Sequence, residues 1–453
     1  MPLRFGTDGI RGVANIELTV ELSVAVGRAA ARHLPGSRFL VGRDTRRSGP
    51  MLQAGLSAGL AAEGVTVVDV GVIPTPGLAW LAAELSVPAA MISASHNPFA
   101  DNGIKLLSAA GMKLPDAIEE AIEGELDALL LASQNRAGVP GPGGPAVGRV
   151  EADLEAVRRY EDHLISTLGG RGLEGLRVVL DCANGAASEV APRVLSRAGA
   201  EVMVIEAAPT GVNINAGCGS TSPEKLVAAV LTAGADVGLA FDGDADRVLA
   251  VDHAGQVVDG DHLIAMFAID LAARGELTGH EVVITVMSNL GLRMALAERG
   301  IGIVETPVGD RYVSDALESY GLALGGEQSG HIVFRRHATT GDGVLTGLLL
   351  LDLMSRRSER LADLAAAAMT RLPQVLESIP VPDPARLGSA SGVWEEVGKI
   401  EASLAGKGRV LLRPSGTESR VRVMVEAPSE SEARAAVDRL TAVVRREIGG
   451  SAP

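Results

Sequence analysis

Aromatic side chains are scarce in this chain: two Trp, three Tyr and six Phe make up 2% of it, against 47% apolar residues. The cores must therefore be built from Ala, Val, Leu and Ile, a palette suited to parallel sheets flanked by helices. Cysteine is rarer still. Cys182 and Cys218 cannot form a disulfide framework, and so low a count fits a reducing compartment. Basic residues are outnumbered, 41 Lys and Arg against 56 Asp and Glu, for a formal charge of −15. With no basic cluster standing out, neither nucleic acid nor an anionic membrane is an expected partner. No apolar run approaches the roughly 18 residues of a membrane span. The start Met1-Pro2-Leu3-Arg4-Phe5 lacks the pattern of a secretory signal, so a soluble, cytoplasmic protein is the expectation.

What is present is length and repetition. At 453 residues the chain exceeds one compact core, and three or four domains are expected. Phe39-Leu40-Val41-Gly42, Val178-Val179-Leu180-Asp181 and Val282-Val283-Ile284-Thr285 are short strand-like runs, each followed by a turn and an Ala/Leu-rich helical segment. A second run follows a glycine each time, at 64–68, 199–204 and 300–304, and a third at 89–92, 237–241 and 322–325. The pattern predicts an α/β fold: three similar α/β domains with mainly parallel mixed sheets, over 1–150, 151–254 and 255–372. A C-terminal α+β domain over 373–453 carries Arg409–Arg413, a turn, Val421–Val425 and a helix from about Glu430 to Glu447. Ala137–Pro145 is rich in Pro and Gly and reads as a surface loop or boundary.

The loop after the third run of each repeat holds the unusual polar residues. These are Ser93-Ala94-Ser95-His96-Asn97-Pro98, Asp242-Gly243-Asp244-Ala245-Asp246-Arg247 and Glu327-Gln328-Ser329-Gly330-His331. Open α/β sheets bind ligands beyond the carboxyl ends of their strands, so the simplest architecture brings all three loops to one central cleft.

Asp242, Asp244 and Asp246 offer three carboxylates with no Cys, and with no His between them, which suits Mg²⁺ better than Zn²⁺. An acidic turn capping its own N–H groups is the bland alternative. Arg247 suits a phosphate oxygen, or else pairs with those carboxylates. Ser95 is a nucleophile or phosphoryl carrier, unless it merely caps a turn; no G-x-S-x-G elbow surrounds it. His96 offers a proton or a phosphate contact.

Lys105 sits close enough in sequence to fold back on the Ser95 loop, where cationic neighbours would lower its pKa and make it a proton shuttle. Arg11, within Gly6-Thr7-Asp8-Gly9-Ile10-Arg11-Gly12, is placed to meet an anion together with backbone N–H groups. Arg413-Pro414-Ser415-Gly416-Thr417 with Arg422 suits a dianionic phosphate monoester, or is an ordinary hairpin turn. Glu327, Ser329 and His331 mix an acceptor, a hydroxyl and a donor, as polyhydroxyl recognition requires.

Together and in this order, these motifs resemble the α-D-phosphohexomutase family over essentially the whole chain. The resemblance implies four domains round a central cleft. It implies that Ser95 is carried as phosphoserine, stabilised by Arg247, with Mg²⁺ held by Asp242, Asp244, Asp246 and a phosphoserine oxygen. The substrate phosphate would dock on Arg413, Ser415, Gly416, Thr417 and Arg422, and the sugar hydroxyls on Glu327 and Ser329. Lys105, Arg11 and His96 are the groups for proton transfer and charge stabilisation, with the base left open among them.

Within the family, Val308-Gly309-Asp310-Arg311-Tyr312-Val313, Gln328 and Thr339-Thr340-Gly341-Asp342-Gly343 point to an amino sugar. The implied reaction interconverts glucosamine 6-phosphate and glucosamine 1-phosphate through a 1,6-bisphosphate, feeding UDP-N-acetylglucosamine and cell-wall synthesis, and a homodimer is compatible with it. Phosphomannomutase or phosphoglucomutase activity is the nearest alternative, a sugar-phosphate-binding protein without turnover or a Mg²⁺-dependent phosphatase a more distant one. The sequence departs from the family pattern at two places: Ser419-Arg420 stand where Pro and an aliphatic residue are common, and Ala245 where glycine is frequent.

Overall fold

In the computed structural model, residues 4–6, 8–134, 139–415 and 419–449 are described. They form two compact units: one over 1–286 and 301–367, the other over 287–300 and 368–453.

The first unit contains three sheets built on one plan. In the first sheet, Ala89–Ile92 pairs in parallel with Arg38–Arg43, which pairs in parallel with Thr66–Val72. The second sheet repeats this with Val237–Phe241, Arg177–Asp181 and Glu201–Ile205. The third repeats it with Leu324–Gly326, Glu281–Thr285 and Gly302–Thr306. A fourth strand then returns antiparallel to the third: Asp101–Leu107, Val248–Asp252 and Ile332–Phe334. The mixed sheets expected from the sequence are present, and the antiparallel returns, which the sequence did not locate, fix what the polar loops are. Each is the hairpin connection between the third and fourth strands, at the carboxyl edge of its parallel core.

Burial follows from the palette. Ala89, Ala90, Met91 and Ile92 are fully buried, as is every residue of Val237–Phe241, because central parallel strands are covered on both faces. Where Ala and Gly replace bulk, helices approach closely. Gly27 and Gly59 lie in the two helices Val20–His33 and Gly49–Ala62, and a Cβ on either would strike the other helix's backbone at 2.1–2.2 Å. The Pro/Gly-rich run leads, within its described part, through a short turn at Gly144–Ala146 into Val150–Ala152, which adds to the first sheet beside Thr66–Val72. Ala137 and Gly138 lie outside the described residues.

The second unit is a three-stranded antiparallel sheet with Arg420–Glu426 at its centre, between Gln374–Pro380 and Arg409–Pro414. The helices Ser391–Leu404 and Glu430–Ile448 cover it, their apolar faces meeting around Val393, Val397, Val437, Leu440 and Val444. The helix Leu290–Glu298, which continues the third repeat in sequence, belongs to this unit. Its N-cap Asn289 and the amide of Leu290 bond to the buried carboxylate of Glu426, which also binds Arg409.

Candidate active site

The three hairpin loops of the first unit meet. Ser95 Oγ donates to Asp242 Oδ2 at 2.6 Å, bridging 147 positions of chain. His331 Nδ1 stands 3.4 Å from Asp246 Oδ2. The amide of Val248, next to the Asp loop, bonds to the carbonyl of Gly330 at 3.1 Å. Ser95, Asp242, Asp244, Asp246 and His331 are all nearly or wholly buried.

Local backbone chemistry holds two of these loops, and the segments of the second repeat beside them, in uncommon conformations. Ser95 has φ 49°, Ala245 φ 57°, Ala183 φ 51°, Asn184 φ 48° and Asn215 φ 57°, all left-handed and none glycine. Such residues cost of order 1–3 kcal/mol each and persist only where their surroundings over-determine them. At position 245, where glycine would adopt this φ freely, alanine retains the loop's shape at that cost.

The three carboxylates place one oxygen each within 4.8 Å of one another. Burial and the charges of Asp246 and Asp244 push Asp242 well above the usual carboxylate range. Burial also opposes the charge on Asp246, yet His331, Arg247 and Lys105 outweigh it and hold that group low. Asp244 accepts Thr75 Oγ1 at 2.5 Å through Oδ2. Its Oδ1 and Asp246 Oδ1 are buried without a hydrogen-bond partner. Orphaned carboxylate oxygens beside a carboxyl driven up by its neighbours are what a divalent cation would satisfy, and an all-oxygen donor set suits a hard ion. His331 is not part of that set. Its Nε2 accepts the Gly341 N–H at 3.0 Å, which leaves the proton on Nδ1, toward Asp246.

Lys105 corrects an expectation. It lies on the strand Asp101–Leu107, paired in register with Met91, rather than in the loop, and anionic neighbours dominate its surroundings. Nζ is 2.7 Å from Asp8 Oδ1. Burial pulls the ammonium pKa down, but Asp8, Asp244, Asp246 and Asp310 overcome this and hold it above its usual value. Lys105 is therefore a fixed positive charge in this state and not a lysine poised to lose its proton.

Asp8 is shared: Lys113 Nζ lies 3.0 Å from Oδ1, and Arg11 pairs with Oδ2. Lys113 also reaches Asp310 at 2.6 Å. Arg11 Nη1 contacts the carbonyl of Ala94 at 3.5 Å, next to Ser95. His96 Nδ1 is 3.3 Å from Ser95 Oγ, and burial, then Arg247 and Arg11, lower its pKa. A neutral imidazole beside the hydroxyl can accept its proton. The Arg247 amide donates to Asp242 Oδ1 at 3.2 Å, while its buried Nε has no hydrogen-bond partner and is 3.8 Å from Asp246 Oδ1.

Glu327 is buried, accepts the Gly309 amide at 3.1 Å and faces Ser329 Oγ at 3.5 Å.

In the second unit, Arg413 and Arg422 are directly opposite in the antiparallel register. Burial and the charge of Arg422 lower the pKa of Arg413. Like charges facing across strands are unfavourable without a counter-charge, and Ser415 Oγ beside them is buried with no partner. That combination fits an anion. Gly416 and Thr417, also expected there, lie outside the described residues, as does Thr7.

Several residues at the site escaped the sequence reading: Thr75, Asp8 as a charge partner, Lys113, and Asp44, Arg46 and Asn215, which bond to the segment 93–97. The run Arg43-Asp44-Thr45-Arg46-Arg47, at the carboxyl end of Arg38–Arg43, carried the same positional signal as the other loops.

This chain matches the four domains of the phosphoglucomutase/phosphomannomutase family in order: alpha/beta/alpha domain I over residues 2–131, domain II over 158–255, domain III over 259–372 and the C-terminal domain over 376–443. A phosphoglucosamine mutase of Moorella thermoacetica is 52% identical over 433 residues, covering 94% of this chain and 96% of that protein. Among solved structures, a phosphoglucomutase/phosphomannomutase family protein from Burkholderia thailandensis has a TM-score of 0.78 at 25% identity, covering 97% of each chain. The Aspergillus fumigatus N-acetylphosphoglucosamine mutase, in complex with GlcNAc-6P and magnesium, shares the fold with a TM-score of 0.72 at 17% identity, over 99% of this chain and 96% of that one. The chain belongs to the α-D-phosphohexomutases, the phosphoglucomutase/phosphomannomutase family.

Proposed function

We propose that this protein interconverts glucosamine 6-phosphate and glucosamine 1-phosphate, with Ser95 carried as phosphoserine. The observation that supports it most is the 2.6 Å contact of Ser95 Oγ with Asp242, inside a buried acidic cluster that has orphaned oxygens. Asp242, Asp244 and Asp246, with a phosphoserine oxygen, would hold Mg²⁺. When bound, the ion neutralises charge on the transferred phosphoryl group.

The chain's own residues supply the rest. Arg247, Lys105 and Arg11 surround the phosphoserine with fixed positive charge. Arg413, Ser415, Gly416, Thr417 and Arg422 hold the phosphate already on the sugar, and Glu327 and Ser329 orient its hydroxyls. With O1 in line, the P–O bond to Ser95 breaks as the bond to O1 forms, giving the 1,6-bisphosphate. The proton of the O1 hydroxyl passes to a base in the site, and the serine oxygen, as it leaves, receives one proton in return, relayed through the His96 imidazole 3.3 Å away. After the bisphosphate turns over, its O6 phosphate returns to Ser95. A clamp that accepts either phosphate keeps both orientations bound.

In this reading the domains divide the work: phosphoserine over 1–150, metal over 151–254, sugar recognition over 255–372 and phosphate clamping over 373–453. The identity of about half with a phosphoglucosamine mutase favours the amino sugar. Among the described residues no helix is long and apolar enough to cross a membrane, and a cytoplasmic enzyme supplying UDP-N-acetylglucosamine is proposed. Measuring kcat/KM for glucosamine, glucose and mannose phosphates tests the substrate; preference for mannose 1-phosphate would overturn it.

A further inference from the structure

The Ser95 loop is held by two donors that come from different sheets and share the same acceptors. The carbonyl of Ser95 receives Arg46 Nη2 at 2.8 Å and Asn215 Nδ2 at 2.9 Å. The carbonyl of Asn97 receives the same two groups, at 2.8 and 3.1 Å. Arg46 goes further, donating also to the carbonyls of Pro98 and Asp101, so one fully buried guanidinium gathers four carbonyls of a single hairpin loop. Its charge is balanced by Asp44, 2.8 Å from Nε and wholly buried. Asp44 also accepts Ser93 Oγ at 2.7 Å, and Ser93 Oγ in turn accepts the Ser95 amide at 2.9 Å. Both ends of the Ser95 peptide unit are thus fixed from Arg43-Asp44-Thr45-Arg46.

Asn215 comes from the second repeat, in the segment Asn213-Ile214-Asn215. Its φ of 57° is one that Asn tolerates better than most residues, and its amide bonds to the carbonyl of Ala183, itself left-handed. The metal loop packs against this same point. A Cβ on Gly243 would meet Ser95 O at 2.6 Å and Asn215 Nδ2 at 2.8 Å. The Asn215 amide therefore sits where the phosphoserine loop and the carboxylate loop touch.

We propose that Asn215 and Arg46 are positioning residues that clamp the Ser95 loop against the Asp242 loop, setting the serine oxygen for phosphoryl transfer without touching substrate. Arg46 anchors the loop to its own sheet. Asn215 ties it to the sheet that carries the carboxylates. The inference rests on Ser95 being the phosphoryl carrier. Misplacement by about 1 Å of a group that must attack in line costs on the order of 100-fold in rate.

The test compares wild type, Asn215→Gly, Arg46→Lys and the double variant. Glycine keeps the left-handed backbone at 215 and removes only the side chain. Lysine keeps the buried charge opposite Asp44 but cannot span four carbonyls. Each is measured for kcat and KM with glucosamine 6-phosphate, for single-turnover loss of phosphate from Ser95 and for thermal midpoint.

We expect Asn215→Gly to lower kcat and the single-turnover rate together by about 30- to 100-fold, with KM within about twofold and the melting transition little changed. Because both donors act on the same carbonyls, the double variant should lose less than the product of the single losses. Wild-type rates retained within about twofold in Asn215→Gly would overturn the assignment, as would multiplicative losses or losses that merely track a fall in thermal midpoint. Wild-type enzyme that turns over without Ser95 phosphate would overturn the underlying reaction assignment instead.

Discussion

Replacing Gly243 by alanine probes the contact between the two loops directly. Gly243 lies between two of the carboxylates, and its φ is not the reason for glycine here. The reason is space: a Cβ would fall 2.6 Å from the carbonyl oxygen of Ser95, 2.8 Å from Asn215 Nδ2 and 2.8 Å from Ile214 Cδ1. A carbon next to a carbonyl oxygen needs about 3.3 Å, so the loops must part by roughly 0.7 Å. Two of the three obstacles are a backbone carbonyl and a side chain already committed to it, so the strain cannot be relieved by one rotamer change.

The Ser95–Asp242 contact of 2.6 Å would lengthen by a similar amount. Overpacking of this kind costs about 1–3 kcal/mol of stability, and the displaced nucleophile about 100-fold in kcat. The assay is mutase turnover with purified enzyme, alongside intact-protein mass for the phosphate on Ser95 and a thermal melt. Gly124→Ala, in the helix Asp116–Gln134 with open space around it, is the control and should be neutral or slightly stabilising. A Gly243→Ala enzyme keeping more than half of the wild-type kcat would refute the close-contact argument.

The remaining predictions concern charge. Because Asp8 and its acidic neighbours hold the Lys105 pKa above its usual value, no ionisation of Lys105 should shape the kcat/KM profile between about pH 6 and 9; a limb in that range that vanishes in Lys105→Met would contradict this. Asp342 is buried, accepts the Leu345 amide and the Tyr160 hydroxyl, and burial lifts its pKa from 3.8 to about 6. A raised carboxyl contributes stability that is present below pH 3.8 and lost as pH rises through 6, up to about 3 kcal/mol in all. Asp342→Asn keeps the cap acceptor and should abolish this loss; a thermal-midpoint profile parallel to wild type from pH 4 to 7 would contradict it. Arg413→Ala and Arg422→Ala should each raise KM for hexosamine phosphate about 10- to 100-fold while leaving Ser95 phosphorylated, and unchanged KM would remove them from the phosphate clamp.

Strand runs were legible because the palette is so limited: 89–92 and 237–241 are wholly apolar and too short for helices. The polar loops were legible because they interrupt that pattern at the same place in each repeat. Antiparallel return strands were not, since Val248–Asp252 and Asp101–Leu107 look in sequence like loop continuations, with charged residues on otherwise apolar runs. Lys105 was misread for that reason: taken as part of the loop it was expected beside cations, whereas on its strand it faces Asp8, 97 positions away. Arg46 and Asn215 act by donating to carbonyls, and backbone acceptors leave no mark in the sequence. The grouping of Leu290–Glu298 with the C-terminal sheet follows from bonds that join distant parts of the chain, such as that of the Leu290 amide to Glu426, 136 positions away.

The central claim is that Ser95 gives its phosphate to the sugar and regains it in each cycle. Enzyme carrying labelled phosphate on Ser95 is mixed with excess unlabelled glucosamine 6-phosphate, and label is followed on protein and on sugar through the first turnovers. Label should leave Ser95 at least as fast as kcat, appearing in sugar phosphate and not as free phosphate, and Ser95→Ala should carry no label and show no turnover. Label that stays on the protein through many turnovers, or full activity in Ser95→Ala, would contradict the account.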